Sequence, residues 1–165
     1  MSLFKGAATA LITPMREDKV DYDSLEKLVN IQLKGNIDAL IVNGTTGEPT
    51  TLTHSERTKI AKTVIDIVDK RIPVILGAGS NNTYTAIEYA QENESLGADG
   101  VLTVTPYYNK CTQAGIVAHY KALADSINLP VIMYNVPSRT GVNIAPETLL
   151  KLAGYKNIVA IKNCF

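Results

Sequence analysis

The chain has 165 residues, of which 45% are apolar and 19% charged, with 16 basic side chains matched by 16 acidic ones. This length allows one domain with a sizeable core, and the balanced charge gives no indication of a nucleic-acid-binding surface. The apolar stretch 7–12 is too short for a secretory signal, and no run approaches the roughly 20 apolar residues of a membrane span, so we expect a cytoplasmic protein that enters no membrane.

Six short β-rich runs recur along the chain. They are continuously apolar rather than alternating, which is typical of parallel strands that are buried on both faces. The predicted strands are 10–13, 39–43, 73–77, 100–105, 130–135 and 158–162.

Helical patterns fill the intervals between these runs. Thr53 followed by Glu56 is a capping box, in which hydroxyl and carboxylate each satisfy a free backbone donor at a helix start. Pro146 suits the first turn of a helix. The predicted helices are 22–34, 54–70, 83–96, 113–127 and 146–153.

The alternation of strand and helix is strict, and successive strands begin roughly 30 residues apart, as in a (β/α)₈ barrel. Either a doubly wound sheet or a barrel fits this alternation. No Pro/Gly/Ser-rich linker interrupts the series, so we expect a single domain over 1–165. Both architectures place function at the C-terminal ends of the strands.

Two glycine-containing loops follow the second and third strands. N-G-T-T-G-E (43–48) offers close backbone approach, two hydroxyls and several amides, which suit a small carboxylate; an ordinary turn explains it equally well. G-A-G-S-N-N (77–82) lacks the third glycine of a dinucleotide loop, because Asn82 occupies that position.

Polar side chains with possible proton-transfer or anion-binding roles follow the fourth and fifth strands. Tyr107, Tyr108 and Tyr134 could relay protons, although tyrosines are also common at a rim. Arg139 could bind a carboxylate in a bidentate manner or lie on the surface.

Neither the histidines nor the cysteines indicate a cofactor. His54 and His119 lie in helical segments without partners at metal-ligand spacing, so no metal site is expected. Cys111 and Cys164 lack C-x-x-C spacing and are predicted to be ordinary thiols of a reducing cytosol.

Lys162 ends the sixth strand, in the tail N-I-V-A-I-K-N-C-F. A lysine at the end of a buried strand can present a neutral amine, which attacks a carbonyl and forms a Schiff base. The alternative is a lysine whose stem packs at the rim while its ammonium reaches water.

Four motifs occur in order at the ends of strands two, four, five and six: G-T-T-G-E, T-P-Y-Y-N-K, Y-N-V-P-S-R-T-G and I-K. Through them the chain resembles the dihydrodipicolinate synthase family from Phe4 to Lys162. The resemblance implies a TIM (β/α)₈-barrel type of α/β fold, a homo-oligomer (dimer or tetramer), and no metal or organic cofactor. It also implies condensation of pyruvate with aspartate semialdehyde in the diaminopimelate and lysine pathway.

The resemblance also implies roles for individual catalytic residues. Lys162 matches the lysine that forms the Schiff base with pyruvate, and Tyr134 the tyrosine that shuttles protons. Thr45 and Tyr108 match its relay partners, the latter contributed across a dimer interface.

Substrate-binding positions follow in the same way. Thr46 and Gly47 match the site of the pyruvate carboxylate, and Arg139 the residue that holds the semialdehyde carboxylate. Sister enzymes such as N-acetylneuraminate lyase share the barrel and the lysine, but S-R-T-G and the double threonine favour the synthase.

A regulatory site is implied less completely. His54, Asn81 and Tyr107 match positions of a site at which lysine inhibits many bacterial synthases. Thr85 replaces a glutamate and Arg57 a histidine of the lysine-sensitive pattern.

The family barrel has eight strands, whereas only six are predicted here, so we expect a barrel truncated to about six βα strands, an incomplete domain that ends at the sixth strand. With part of the pocket wall missing, we expect this chain to show little or no condensation activity. Self-association that covers the open edges, or an inactive remnant acting as a structural or interaction module, are the alternatives.

Overall fold

The computed structural model describes residues 3–164, and in this range β-strands and α-helices alternate. Phe165, the last residue of the N-C-F tail, lies outside the described residues, as do positions 1 and 2. The strands are β1 (Ala8–Ala10), β2 (Met15–Arg16), β3 (Lys19–Val20), β4 (Ala39–Val42), β5 (Val74–Gly77), β6 (Gly100–Val104), β7 (Val131–Asn135) and β8 (Ile158–Asn163). The helices are α1 (Tyr22–Lys34), α2 (His54–Val68), α3 (Thr83–Ser95), α4 (Gln113–Ser126), α5 (Pro137–Thr140) and α6 (Pro146–Leu152).

Six of the strands form one parallel sheet in the order β1-β4-β5-β6-β7-β8. The order follows the chain without a reversal, so the sheet lacks the switch point of a doubly wound fold and curls into a half-barrel. This confirms the predicted barrel type with about six strands. In the last pair, Tyr134 of β7 lies opposite Lys162 of β8.

The apolar core lies on both faces of this sheet. Two clusters fill the space between strands and helices, one around Leu25 and Val64, the other around Ile116 and Tyr120. A third cluster occupies the opposite face, where alternate residues of β4 to β7 meet: Ala39, Ile41, Ile75, Leu102, Ile132 and Tyr134. Tyr134 therefore belongs to the face of the sheet that is not covered by the helices.

The start of the chain differs from the prediction. The first strand covers Ala8–Ala10 rather than 10–13, and one more ladder bond, from Leu11 N to Ile41 O, precedes the departure of the chain. A small antiparallel hairpin, β2–β3, follows. Its two turn residues, Glu17 and Asp18, both have positive φ (49° and 61°). The E-D pair is a weak sequence signal for such a turn, which usually contains Asn-Gly or Asp-Gly.

Helix boundaries agree closely with the predictions because the capping signals are local. The capping box of Thr53 and Glu56 is present, and α2 ends at Val68 because Asp69 turns left-handed (φ 46°). The four-residue α5 and two 3₁₀ turns, Thr45–Gly47 and Pro49–Thr51, were not predicted. Among residues 3–164, no helix combines the length and apolar character needed to cross a membrane.

Candidate active site

Lys162 and Tyr134 form the centre of the candidate site. Parallel pairing of β7 with β8 places them side by side, and the Lys162 Nζ lies 4.5 Å from the centroid of the Tyr134 ring. Tyr134 is only 6% exposed, while Lys162 is half-buried. The Tyr134 carbonyl also accepts a hydrogen bond from Thr105 N (3.1 Å), which joins β7 to the end of β6. An amine and a phenol are thus held together at the C-terminal edge of the sheet.

The environment of Tyr134 favours its protonated form. Burial raises the pKa of the phenol above the ordinary 10.0, and the neighbouring Cys164 thiol acts in the same direction. Hydrogen bonding with the Thr45 side chain and the charge of Arg139 lower the same pKa by less. At neutral pH the phenol therefore carries its proton, and it can pass that proton on only as part of a relay.

The loop that follows β4 is held tightly by its own backbone. Its 3₁₀ turn, Thr45–Gly47, is closed by a bond from Gly47 N to Gly44 O (2.9 Å). The Thr13 hydroxyl donates to Gly47 O (2.7 Å), and a Cβ at Gly47 would lie 3.2 Å from the Leu11 carbonyl oxygen. The Gly47 amide is therefore occupied within the loop, whereas the side chains of Thr45 and Thr46 are exposed.

A cavity of about 220 Å³ opens beside these groups. Four of the residues predicted from sequence contribute to its lining: Thr45, Tyr107, Tyr134 and Arg139. A phenol, a hydroxyl and a guanidinium therefore face one space, which suits a small anionic substrate.

Asn43 is a cavity residue that the sequence analysis did not identify. It follows β4 directly with a left-handed backbone (φ 54°), and its Nδ2 donates to Arg57 O (3.0 Å). Its Oδ1 is buried without a hydrogen-bond partner among residues 3–164. The N-G dipeptide at 43–44 was the available signal, since asparagine tolerates this conformation better than most residues.

Tyr108 is not brought into the cavity. It is 88% exposed, with φ at 70°, and is absent from the cavity lining. Thr46, Gly47 and Lys162 also fall outside that lining, although Lys162 contacts Tyr134. The implied role of Tyr108, which depends on a second subunit, stays a prediction.

The three residues of the implied regulatory site lie near a second cleft of about 250 Å³. His54 and Tyr107 line it together with Arg57. The His54 Nε2 is 3.4 Å from Glu92 Oε1, and the Arg57 guanidinium carbon lies 4.0 Å from the centroid of the Tyr89 ring.

Asn81 is not part of the cleft lining. Its carbonyl accepts a hydrogen bond from Asn109 Nδ2 (3.4 Å), and Asn109 follows the tyrosine pair.

In residues 3–164, no group of three or more His, Cys, Asp or Glu side chains is arranged to hold a metal ion.

Comparison with known proteins gives a consistent result. The family model described as "Dihydrodipicolinate synthetase family" matches residues 3–165. The 4-hydroxy-tetrahydrodipicolinate synthase of Clostridium novyi is 55% identical over 162 residues, which are 98% of this chain and 55% of the relative. The chain spans about half the length of the curated relatives it matches.

Two solved structures show the same relation. Dihydrodipicolinate synthase from Thermotoga maritima superposes with a TM-score of 0.96 at 48% identity, covering 98% of this chain and 55% of that one. The chloride-inhibited dihydrodipicolinate synthase from Acinetobacter baumannii, complexed with pyruvate, superposes with a TM-score of 0.95 at 48% identity. The match covers 96% of this chain and 55% of that one.

Proposed function

The chain belongs to the dihydrodipicolinate synthetase family, and we propose that it supplies the imine-forming centre of an enzyme that condenses pyruvate with aspartate semialdehyde in diaminopimelate and lysine biosynthesis. One observation carries this proposal. The Lys162 amine lies 4.5 Å from the ring of a buried, protonated tyrosine at the end of neighbouring parallel strands.

The first chemical step is formation of the imine. In its unprotonated form the Lys162 amine attacks C2 of pyruvate: a C–N bond forms, the C=O π bond breaks, and a proton passes from the nitrogen to the oxygen to give a carbinolamine. The C–O bond then breaks and the oxygen leaves as water, for which it needs a second proton. The Tyr134 ring lies beside the Lys162 amine, and we assign its phenol to donate that proton, with Thr45 as its relay partner.

The imine then activates the methyl carbon of pyruvate. Loss of a methyl proton gives an enamine, whose carbon attacks the aldehyde of the second substrate. The new C–C bond forms as the aldehyde C=O π bond breaks, and the aldehyde oxygen takes up a proton. The protonated imine nitrogen is the acceptor of electrons in this step. We assign Tyr134, once it has given up its proton, as the base that takes the methyl proton and returns it to the aldehyde oxygen. Attack of water, or of the product's own amine, on the imine carbon then breaks the C–N bond to Lys162 and releases the product.

The two carboxylates require separate partners. We assign the pyruvate carboxylate to the loop of Thr45, Thr46 and Gly47, where both hydroxyls are exposed and Gly47 shapes the turn. We assign the semialdehyde carboxylate to Arg139, whose guanidinium contributes to the cavity lining and can bind a carboxylate through two parallel hydrogen bonds.

We further propose a cytoplasmic homo-oligomer. Cys111 and Cys164 are free thiols, which suits a reducing compartment. The largely exposed aromatic ring of Tyr108 could be buried against a second subunit, where it would complete the proton relay. Light scattering of the purified chain measures the assembly directly; a stable monomer would contradict this part of the proposal.

Borohydride trapping tests the central proposal without requiring turnover. Incubation with pyruvate and borohydride should reduce the imine to a stable secondary amine on Lys162, which peptide mass spectrometry can locate. Lys162→Ala should give no adduct at this position, while reaction at the other lysines should be unchanged. A folded wild-type chain that gives no adduct on Lys162 would refute the proposal.

The aldehyde partner is tested separately. Added together with pyruvate before the borohydride, aspartate semialdehyde should lower the yield of the pyruvate adduct on Lys162 more than N-acetylmannosamine does, the acceptor that a sister lyase of N-acetylneuraminate type would use. The expectation that the 165-residue chain condenses little by itself stays a prediction, and the trapping result does not depend on it.

A further inference from the structure

The side chain of Asn135 makes hydrogen bonds with three neighbours at the end of β7. It is 2% exposed. Its Nδ2 donates to Asn143 Oδ1 (2.7 Å) and to Asn163 Oδ1 (2.8 Å), and its Oδ1 accepts from Ile144 N (3.1 Å). A backbone N–H can only donate, so Ile144 fixes which end of the Asn135 amide is oxygen. Both amide hydrogens and the oxygen therefore have assigned partners.

One partner of Asn135 belongs to the strand that carries the candidate nucleophile. Asn163 follows Lys162 directly and is the register partner of Asn135. The backbone adds a second link, because Cys164 N donates to the Asn135 carbonyl oxygen (2.9 Å). The end of β8 is thus attached to Asn135 of β7 at Asn163 and at Cys164, immediately after the residue that presents the amine.

The other partners belong to the segment that carries Arg139. This segment begins with α5 and ends at Asn143 and Ile144, and Asn135 makes one hydrogen bond with each of these two residues. The buried Thr140 holds the middle, since its hydroxyl lies 2.9 Å from Val142 O and accepts from Val142 N (3.3 Å). The Arg139 segment is therefore fixed to the sheet by side chains that do not belong to the charged residue itself.

We propose that Asn135 is a positioning residue that sets the Lys162 amine and the Arg139 guanidinium relative to one another. This inference rests on the proposed function, in which Lys162 holds the first substrate and Arg139 the carboxylate of the second. Bond formation between two substrates depends on their separation, and a misplacement of about 1 Å can cost about 10²-fold in rate. Asn135 contacts neither substrate and acts through the two elements that do.

The competing explanation is that Asn135 only stabilises the fold. Asn157 provides a matched control, because its Nδ2 also donates two hydrogen bonds, to Ala124 O (2.8 Å) and Ile127 O (3.1 Å). It precedes β8 at the opposite end of the strand from Lys162. Asn135→Ala and Asn157→Ala each remove two side-chain donors, so a purely structural role predicts similar consequences for both.

The experiment compares the rate of borohydride-trapped adduct formation on Lys162 at saturating pyruvate, with hydrogen exchange of the backbone amides as a second readout. We expect Asn135→Ala to slow trapping about tenfold or more and to increase exchange at both Ile144 and Cys164. Asn157→Ala should trap within about twofold of wild type. Asn143→Ala removes one partner on the Arg139 segment but keeps the bond from Asn135 to Asn163, so it should increase exchange at Ile144 and trap pyruvate within about twofold of wild type.

The possible outcomes separate this inference from the proposed function. No adduct on wild-type Lys162 would refute the proposed function, and the inference with it. An adduct that forms equally fast in Asn135→Ala and Asn157→Ala would refute the inference alone. Increased exchange at only one of the two segments in Asn135→Ala would also refute it, since the proposal requires that one amide holds both.

Discussion

His119 should set how the stability of this chain responds to mild acid. Its side chain is 3% exposed on α4, and its Nδ1 lies 2.9 Å from the Thr83 hydroxyl. The Tyr120 ring meets it edge-on at 5.4 Å, and the His119 Nε2 has no hydrogen-bond partner among residues 3–164. Burial lowers the pKa of this imidazole from 6.5 to about 4.

The sign and size of the effect follow from proton linkage. Between pH 6.5 and 4 the unfolded chain binds a proton at His119 and the folded chain does not, so the free energy of unfolding falls as pH falls. At 1.36 kcal/mol per unit, the full loss is about 3 kcal/mol, of which about 2 kcal/mol is reached at pH 5. Above about pH 7.5, where the unfolded chain also leaves the imidazole unprotonated, this group contributes almost no pH dependence.

Urea unfolding at pH 7.5 and pH 5 measures the difference. His119→Asn keeps an amide near the Thr83 hydroxyl but cannot titrate, so its unfolding free energy should change by about 2 kcal/mol less than that of wild type between the two pH values. The Asp21 carboxyl accepts hydrogen bonds from Ser24, and the Glu56 carboxyl accepts them from Thr53, which lowers both pKa values. The contribution of these carboxylates to the free energy of unfolding is therefore lost only at more acidic pH.

His54→Asn is the matched control, because His54 is the other histidine of the chain and its side chain is largely exposed. It should retain the pH dependence of wild type. If His119→Asn loses as much stability as wild type between pH 7.5 and pH 5, the buried neutral imidazole is not the cause and the reasoning is wrong.

Three further substitutions test the fold. Thr53→Ala removes the capping box of α2 and should lower the urea-unfolding free energy by about 1 kcal/mol, whereas Thr53→Ser should restore it; equal stability of the two would contradict the capping role. Tyr120→Phe removes a buried hydroxyl that donates to a carbonyl of β6 (2.8 Å), and the same measurement should show a loss of about 1–3 kcal/mol. Gly77→Ala would place a Cβ 2.0 Å from the Asn43 carbonyl oxygen and should lower the melting temperature sharply, whereas Gly115→Ala, with its nearest neighbour at 3.4 Å, should not.

The parts of the fold that could be predicted from sequence are those with local causes. The first helix was predicted over 22–34 and observed as Tyr22–Lys34, and Thr53 marked the start of α2 correctly. The hairpin β2–β3 was missed because its strands have two residues each, too few for any periodic pattern. The short α5 was missed for the same reason, since one helical turn leaves no repeating apolar stripe.

The sequence predicted those residues of the candidate site that lie at the C-terminal ends of the strands. Lys162 and Tyr134 are neighbours because parallel strands bring their C-terminal ends to one edge, which the sequence pattern already implied. The roles of Asn43 and Asn135 could not be predicted, because each depends on partners from distant segments. The sequence also did not predict that the Gly47 amide donates its hydrogen bond to Gly44 O within its own loop, because this bond depends on the tight turn of the backbone.

The strictly sequential order of the sheet has a consequence for biosynthesis. Within the six-stranded sheet, each strand pairs with the strand of that sheet made just before it, so the partner of every new strand has already been synthesised. The loop of Thr45 is synthesised on the order of ten seconds before Lys162, at typical rates of 5–20 residues per second. Lys162, the proposed nucleophile, is therefore added last, to a sheet whose five earlier strands have already been synthesised.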